Sequence, residues 1–390
     1  MTGLVARIEA ATPPGRDRAV DALRALAILG VVGGHWLVTA LVTDSGTVRG
    51  ASPLTYLPEL SPVSWVFQTL AVFFLVGGQV AAGSWASARR RGVPYGRWVG
   101  GRLVRLFRPV AAVLVVWALA TAAMLVAGVG ESTVRALVKL IWSPLWFLLV
   151  FAALTALTPL VARLHPLWPL VVVLHVDLVR LGLGGPRELG WVNVVAGWLV
   201  PYCLGALVAR GGMRGRTGRW ALLLGGASAA VALVLWAGYP AAMVGVPGGR
   251  ISNLDPPSLA AVAFGLAQCG AALLLLGPLR RALRRPALWA VVAVVNLSAM
   301  TVFLWHQTAM IVVTTSASLI ADDPLPGLHT VPDGLGWVFA RLLWLPVFAL
   351  ALLVCWAAFR GYEQSGRSRG GGSLVVRDSS PERKGHARRA

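Results

Sequence analysis

Long apolar runs separated by short polar or basic stretches recur along this 390-residue chain. Most of them reach the length of about 20 residues that a helix needs to cross a bilayer. Inside lipid the backbone finds no water, so helices that satisfy their own hydrogen bonds are the expected element. The pattern predicts an all-α, polytopic membrane bundle of about ten transmembrane helices. The ten spans lie near residues 20–42, 62–83, 108–129, 140–162, 166–183, 190–209, 219–239, 257–277, 287–319 and 336–359.

Two of these spans deviate from a simple apolar helix. His175 and Asp177 interrupt the fifth span, which is the weakest of the ten. The ninth span is longer than a bilayer requires, so we expect it to bend or to end early near Ser316. The first span exceeds the apolar core of about 7–15 residues that a cleaved signal peptide carries, so we expect it to remain as a transmembrane helix.

The composition excludes a soluble domain. Hydrophobic residues make up 57% of the chain and charged residues 13%, whereas an ordinary soluble domain is roughly 25% charged. The mean hydropathy of +0.72 agrees with a membrane protein. The three cysteines lie singly in predicted spans, with no metal-ligand spacing and no disulfide framework, and we expect no metal site.

The net charge of +20 is unevenly distributed. Basic clusters at 89–108, 210–219 and 280–285 follow the second, sixth and eighth spans, and the other connections carry few charges. This asymmetry is the positive-inside pattern, and it predicts an even number of spans with both termini in the cytoplasm. Because the membrane orientation accounts for the charge, we expect no nucleic-acid partner.

The same pattern divides the chain into three parts. Residues 1–19 are predicted to form a cytoplasmic N-terminal segment, and residues 20–360 the transmembrane domain. Residues 361–390 are polar, basic and glycine-rich. We interpret them as a disordered cytoplasmic tail that contacts anionic lipid.

The first span contains two ionisable residues, Arg24 and His35, which are eleven positions apart. At 3.6 residues per turn both lie on nearly the same helix face, about 16 Å apart along the axis. A neutral imidazole with a pKa near 6.5 suits proton abstraction near neutral pH. The structural alternatives are that Arg24 reaches out to the membrane interface and that His35 hydrogen-bonds a neighbouring helix.

Five segments, in order, resemble motifs of the bacterial acyltransferase-3 family of integral-membrane proteins. The first, "RAVDALRALAILGVVGGHW" (18–36), carries a basic residue, ten further residues and a histidine. The others are "FFLVGGQVAAGSW" (73–85), "GRLVRLFRP" (101–109), "SPLWFLLVF" (143–151) and "SAMTVFLWHQTAM" (298–310). In one place the chain departs from the family: Gly77-Gly78 stands where Ser-Gly is usual. We interpret Gly77 as a packing position.

The resemblance implies an enzyme of the bacterial inner membrane that transfers an acyl group, acetyl in many members, from acyl-CoA to a hydroxyl group. The acceptor would be a sugar, a polysaccharide or a related small molecule, and acyl-CoA would act as a donor substrate rather than a bound cofactor. Arginine suits the phosphates of such a donor. We expect Arg24, Arg102 and Arg105 to bind it. The alternative for Arg102 and Arg105 is a role in membrane orientation alone.

Three residues are candidates for the chemistry. His35 is the expected general base for the acceptor hydroxyl. Asp177 is the most prominent carboxylate within a predicted span and is a candidate partner for it, although a pair with Arg180 would be purely structural. His306 lies at a depth comparable to that of His35, where it could orient the base or bind the acceptor. Its alternative is a hydrogen bond to a neighbouring helix or to Gln307.

Two other functions remain open on the sequence alone. Buried His and Asp residues also serve as proton relays in transporters, which typically carry inverted repeats and broken helices. A membrane scaffold with a degenerate active site is the second alternative, because Gly77 replaces the usual serine. The sequence identifies neither the acceptor nor the acyl chain, the oligomeric state or the side of the membrane on which the acceptor is modified.

Overall fold

The computed structural model describes residues 2–44 and 47–364. Its helices, numbered in chain order, are α1 Thr2–Ala10, α2 Arg18–Val38, α3 Pro53–Tyr56, α4 Ser64–Phe67, α5 Leu70–Arg90, α6 Tyr95–Val126, α7 Glu131–Trp142, α8 Trp146–Ala156, α9 Thr158–Val161, α10 Leu167–Asp177, α11 Gly190–Ala209, α12 Arg216–Trp236, α13 Leu259–Ala282, α14 Pro286–Leu297, α15 Ala299–Ile320 and α16 Leu335–Gln364. Short 3-10 turns cover Pro58–Val63, Ser143–Leu145 and Arg187–Leu189, and a π-helical turn covers Leu178–Gly182.

The predicted helical, polytopic bundle is confirmed. Within the described residues, nine helical segments are long and apolar enough to cross a membrane. The sequence analysis did not predict the one small sheet, in which β1 (Ala40–Asp44) pairs antiparallel with β2 (Thr47–Ala51) directly after α2. This hairpin is tied to the bundle because the Thr43 amide donates to the His329 carbonyl at 3.0 Å.

The predicted fifth span corresponds to α10, which has only eleven residues and is not among the nine long segments. Its surroundings nevertheless place its two ends at opposite ends of the bundle. Just before α10, Arg163 lies with Arg210 at what we name the basic end. At the C-terminus of α10, Asp177 contacts Tyr239, in the connection between α12 and α13 at what we name the opposite end. The chain therefore passes between the two ends along this short helix.

Three predicted spans are interrupted in the structure. The break in the ninth lies at Ser298, between α14 and α15, and α15 continues through Ser316, so the expected end near Ser316 was wrong. Asn296 explains this position, because its amide donates to the Asp21 carbonyl at 2.6 Å and anchors the end of α14 on α2. The second and fourth spans break at residues 68–69 and 143–145, the latter beside Pro144, which lacks an amide hydrogen to continue a helix.

The first and last described parts of the chain pack against α14 and α15. The Trp289 indole in α14 donates to the Thr12 hydroxyl just after α1 at 2.8 Å. Near the C-terminus of α16, Phe359 stacks on Trp305, with ring centroids 3.8 Å apart. The last helix continues through residues 361–364, into the predicted tail. The rest of that tail, 365–390, lies outside the described residues.

Helices α5 and α11 approach each other more closely than side chains normally allow. A Cβ atom added at Gly205 would lie 1.9 Å from the Leu75 carbonyl oxygen, and one at Gly78 would lie 2.0 Å from the Tyr202 carbonyl oxygen. Small residues permit such backbone contact between membrane helices. Glycine on both helices is therefore required at this crossing, which lies beside the aromatic core where Phe74 stacks on Trp198.

Candidate functional site

A cavity of about 1120 Å³ occupies the opposite end of the bundle. Its walls come from the last turns of α2, the hairpin, α4, α7, the start of α8 and the connection before α13. Such a volume slightly exceeds the usual range for small-molecule sites of about 300–1,000 Å³. Aromatic side chains supply much of the lining, namely Phe67, Trp142, Trp146, Phe147 and Phe303.

His35 lines this cavity, and His306 lies directly behind it. The centroids of the two imidazole rings are 5.1 Å apart. His306 is only 1% exposed, whereas His35 is accessible from the cavity. His35 and His306 are the two histidines that the sequence analysis singled out. The structure brings them together although their helices lie about 270 residues apart in the chain.

The hydrogen bond of His306 determines which of its nitrogens carries a proton. Its Nδ1 lies 2.5 Å from the Phe303 carbonyl oxygen, which can only accept, so Nδ1 is the donor. In the neutral ring Nε2 then carries the lone pair, and this buried atom has no partner among the described residues. The expected alternative, a bond to Gln307, is not seen, because Gln307 Oε1 is itself without a partner there.

Two further hydrogen bonds fix the helices that carry the histidines. The Trp36 indole on α2 donates to the His306 carbonyl on α15 at 2.9 Å. Arg341 on α16 donates through Nε to the Trp36 carbonyl and through Nη2 to the Thr39 carbonyl, both at 2.6 Å, and through Nη1 to the Gly327 carbonyl at 2.9 Å. These bonds hold the last turn of α2, immediately after His35.

Arg341 is a residue that the sequence analysis missed. It is 1% exposed and has no carboxylate partner among the described residues; the faces of Phe348 and Trp337 lie 4.6 and 5.5 Å from it. A signal was present, because a lone arginine in an otherwise apolar span marks an interior, functional position by default. What it touches could not be read from the chain.

The glycines of α2 allow other elements to pack tightly beside His35. A Cβ at Gly34 would lie 2.9 Å from the Cβ of Phe67, which lines the cavity. At Gly30 it would lie 2.7 Å from Thr69, whose hydroxyl donates to the Ala27 carbonyl at 2.6 Å. The glycine-lined face of α2 therefore allows the interrupted second span to pack closely against it.

Asp177 is buried at a different place. Its Oδ1 accepts from the Asn193 amide at 2.9 Å, and its Oδ2 accepts from the Tyr239 hydroxyl at 3.0 Å and the Leu259 backbone amide at 2.7 Å. Burial and the neighbouring Asp177 charge raise the pKa of Tyr239, which keeps the hydroxyl protonated as a donor. No described contact joins Asp177 to either histidine of the cavity, and the expected pair with Arg180 is not seen among the described residues.

Arg24 lies in a polar cluster near the start of α2. Its Nε donates to Asn296 Oδ1 at 2.5 Å, and its Nη2 lies 3.1 Å from Asp21 Oδ1. Asp21 also pairs with Arg16 at 2.5 Å. One carboxylate therefore faces two guanidinium groups in this cluster.

Arg102 and Arg105 lie in the first half of α6. Arg102 lies 5.2 Å above the Trp98 ring and reaches the Val80 carbonyl at 3.5 Å. Arg105 donates to the Gly101 carbonyl at 2.9 Å and is exposed. Among the described residues neither has a carboxylate partner, and no described contact joins them to Arg24.

Gly77 packs against an aromatic ring. A Cβ at this position would lie 2.4 Å from Cε2 of Phe151. In this chain a serine at position 77 would collide with the ring. The glycine that replaces the usual serine therefore fits the presence of Phe151 on α8.

Charged side chains line the cavity near α7. Glu131 and Arg135 form an ion pair at 2.5 Å, and Lys139 follows one turn later on the same helix. Arg49 from the hairpin and Asp255 from the connection before α13 complete the set. The site thus combines aromatic surfaces with several donors and acceptors, a lining suited to a polar, hydroxyl-rich ligand.

Comparison with known proteins gives one finding. A family model described as an acyltransferase domain matches residues 17–360, which is nearly the whole chain. No curated protein and no solved structure matches this chain.

Proposed function

The chain belongs to this acyltransferase family, and on that premise we propose that it transfers an acyl group, with acetyl expected, from acyl-CoA to a hydroxyl of a sugar, glycan or related acceptor. As a polytopic membrane protein of this family it requires a bilayer, an acyl donor and an acceptor. The assignment to the inner membrane of a bacterium, with the basic end in the cytoplasm, belongs to the same proposal.

The observation that carries the proposal is the pair of histidines at the wall of the large cavity. His35 is accessible to a ligand, and the unpartnered Nε2 of His306 lies behind it. A buried polar atom without a partner costs about 1–3 kcal/mol, so the Nε2 atom of His306 would gain from a hydrogen bond donated by protonated His35. In our proposal, His35 is the general base, and His306 orients it and stabilises its protonated form.

In the reaction that we assign to this pair, one proton moves from the acceptor hydroxyl to His35 and then to the leaving thiolate. As the acceptor oxygen attacks the thioester carbonyl, His35 takes the hydroxyl proton. The carbon–sulfur bond then breaks, the new ester is released, and the proton returns from His35 to the departing thiolate. A positioned base contributes typically about 10²–10⁴-fold to such a step.

Donor binding is proposed at Arg24, Arg102 and Arg105. The guanidinium group of Arg24 and the lack of carboxylate partners described for Arg102 and Arg105 suit a phosphate-rich molecule arriving at the basic end. The acceptor would enter the cavity at the opposite end, so the two substrates would reach His35 from opposite directions. For Asp177 we favour a structural role, because its described bonds hold α10, α11 and the start of α13 together.

The test uses radiolabelled acetyl-CoA with membranes that contain the full-length protein, and host lipid and glycan extracts as acceptors. We expect labelled product from the wild type and a loss of about 10²-fold or more in His35→Gln at equal expression. His175→Gln is the matched control, because among the described residues that exposed histidine hydrogen-bonds to the Val171 carbonyl of its own helix, and its replacement should leave the rate unchanged.

Equal labelling by the wild type and His35→Gln would remove His35 from the mechanism. A loss in His175→Gln as large as that in His35→Gln would show a general effect of histidine replacement. Labelling that requires His306 but not His35 would reverse the roles given to the two rings.

A further inference from the structure

A second concavity lies at the basic end, far from the histidines. It encloses about 390 Å³ between the C-terminal parts of α5 and α11 and the segment that follows α9. Four arginines line it, Arg89, Arg90, Arg163 and Arg210, and we name it the arginine pocket. It shares no lining residue with the large cavity. Along α5, the nineteen residues from Leu70 in the cavity to Arg89 correspond to roughly 28 Å.

The charges in the arginine pocket are not compensated by the protein. No carboxylate lines the pocket, and none of the four arginines forms an ion pair within the described residues. The nearby helix C-termini offset part of the repulsion, but only by about half a charge each. The positive-inside rule explains why arginines lie at this end of the bundle. It does not explain why three separate segments direct them into one concavity.

The rest of the lining is apolar. Ala82, Ala86, Trp85 and Pro159 form a surface beside the arginines. Trp85 also packs against the Trp98 and Tyr95 rings at the start of α6, with centroids 5.2 and 6.0 Å away. Aromatic residues at this level are typical of the membrane interface. The pocket is therefore half cationic and half apolar.

We propose that the arginine pocket binds the phosphate headgroup of an anionic phospholipid from the surrounding bilayer. Guanidinium groups bind phosphate oxygens through two parallel hydrogen bonds, and several of them together neutralise a phosphate strongly. The apolar side of the pocket accommodates the glycerol and the first methylenes of the lipid. Basic pockets between transmembrane helices at the cytoplasmic face are suited to such headgroups.

Native mass spectrometry of the purified full-length protein tests this, with dioleoylphosphatidylglycerol and dioleoylphosphatidylcholine as probes. The variant Arg89→Gln/Arg163→Gln/Arg210→Gln removes three pocket charges. The control Arg97→Gln/Arg216→Gln/Arg284→Gln removes three charges from exposed arginines outside the pocket lining. We expect the wild type and the control to prefer the anionic lipid, and the pocket variant to lose at least about tenfold in affinity for it.

A second variant removes space instead of charge. Nothing lies within 4 Å of a Cβ added at Gly83, which lines the pocket, so the first side-chain atom of Gly83→Leu meets no neighbour and the side chain takes up space in the pocket. We expect it to weaken binding of the anionic lipid as the triple variant does. Equal weakening by the pocket and control triples, or full binding by Gly83→Leu, would overturn the proposal.

A third arm separates a lipid headgroup from a soluble phosphate compound. Coenzyme A, which carries three phosphates on a soluble molecule, is added to the wild-type protein with the anionic lipid bound. We expect the lipid to remain. Displacement of the lipid by coenzyme A from the wild type would instead assign the pocket to a soluble ligand and overturn the lipid proposal. None of these readouts depends on acyl transfer.

Discussion

Replacement of Arg341 by methionine tests whether the site is held in place from α16. The side chain of Arg341 fills a fully buried position and donates to three carbonyls, two of them in the last turn of α2. Methionine keeps much of the volume but leaves these acceptors without donors. Each unsatisfied buried group costs about 1–3 kcal/mol, and relief from burying a charge offsets part of the sum. We expect a net loss of about 3–5 kcal/mol, because three unsatisfied carbonyls at about 1–3 kcal/mol each outweigh that relief.

Thermal unfolding of the purified protein in detergent measures this loss, which corresponds to a midpoint about 3–6 °C lower for a chain of this size. The effect on catalysis is separate. Because Trp36 and Thr39 flank the end of α2, the turn that carries His35 loosens, and we expect kcat to fall more than KM rises. Arg341→Lys retains a charge but concentrates its donors on one nitrogen, so it should recover only part of both losses.

Arg360→Met is the matched control, because it removes an arginine from the same helix that is exposed and stacks on Trp356. Its midpoint and kcat should stay close to those of the wild type. Wild-type stability together with wild-type kcat in Arg341→Met would refute the reasoning, since the three hydrogen bonds would then contribute nothing. A lower midpoint with unchanged kcat would retain the structural role and reject the positioning of His35.

Two further substitutions test individual contacts. Gly77→Ser introduces the usual family residue, but its Cβ meets Phe151, so we expect a loss of about 1–3 kcal/mol in stability and no gain in acyl transfer. Addition of Phe151→Leu should restore the stability. Higher activity at unchanged stability would show that the serine is functional. Tyr239→Phe removes the hydrogen bond to Asp177 and should lower the unfolding midpoint. Because the folded pKa of Tyr239 is raised, the wild type's advantage is complete below the ordinary tyrosine pKa of about 10 and shrinks as the pH rises above it; an advantage that grows in this range would contradict the assignment.

The bundle and the two histidines could be predicted from the chain because both depend on local composition. Apolar runs of bilayer length indicate helices wherever they occur. An imidazole in such a run favours an interior position, which singled out His35 and His306, although the same pattern at His175 gives an exposed side chain. Their approach to 5.1 Å follows from their similar depth once α2 and α15 pack together.

What could not be predicted depends on contacts between distant segments. From the sequence, Asp177 is a candidate partner for the base. The structure shows that its oxygens instead accept hydrogen bonds from Asn193 and from the Leu259 amide. The break at Ser298 is positioned by Asn296 binding α2, a contact across more than 250 residues. Most of amphipathic α7, residues 131–139, was left in the connection between the third and fourth predicted spans, although the charges at Glu131, Arg135 and Lys139 marked the polar face of a helix.

The glycine crossing of α5 and α11 limits how these two helices can move relative to each other. Backbone atoms already in contact at Gly78 and Gly205 leave no room for one helix to slide past the other without separating completely. Helix α7 and the hairpin show no such glycine contact among the described residues; there the Val48 amide donates to the Thr133 hydroxyl at 3.0 Å. A rearrangement of the cavity wall that moves α7 and the hairpin would therefore leave this crossing unchanged.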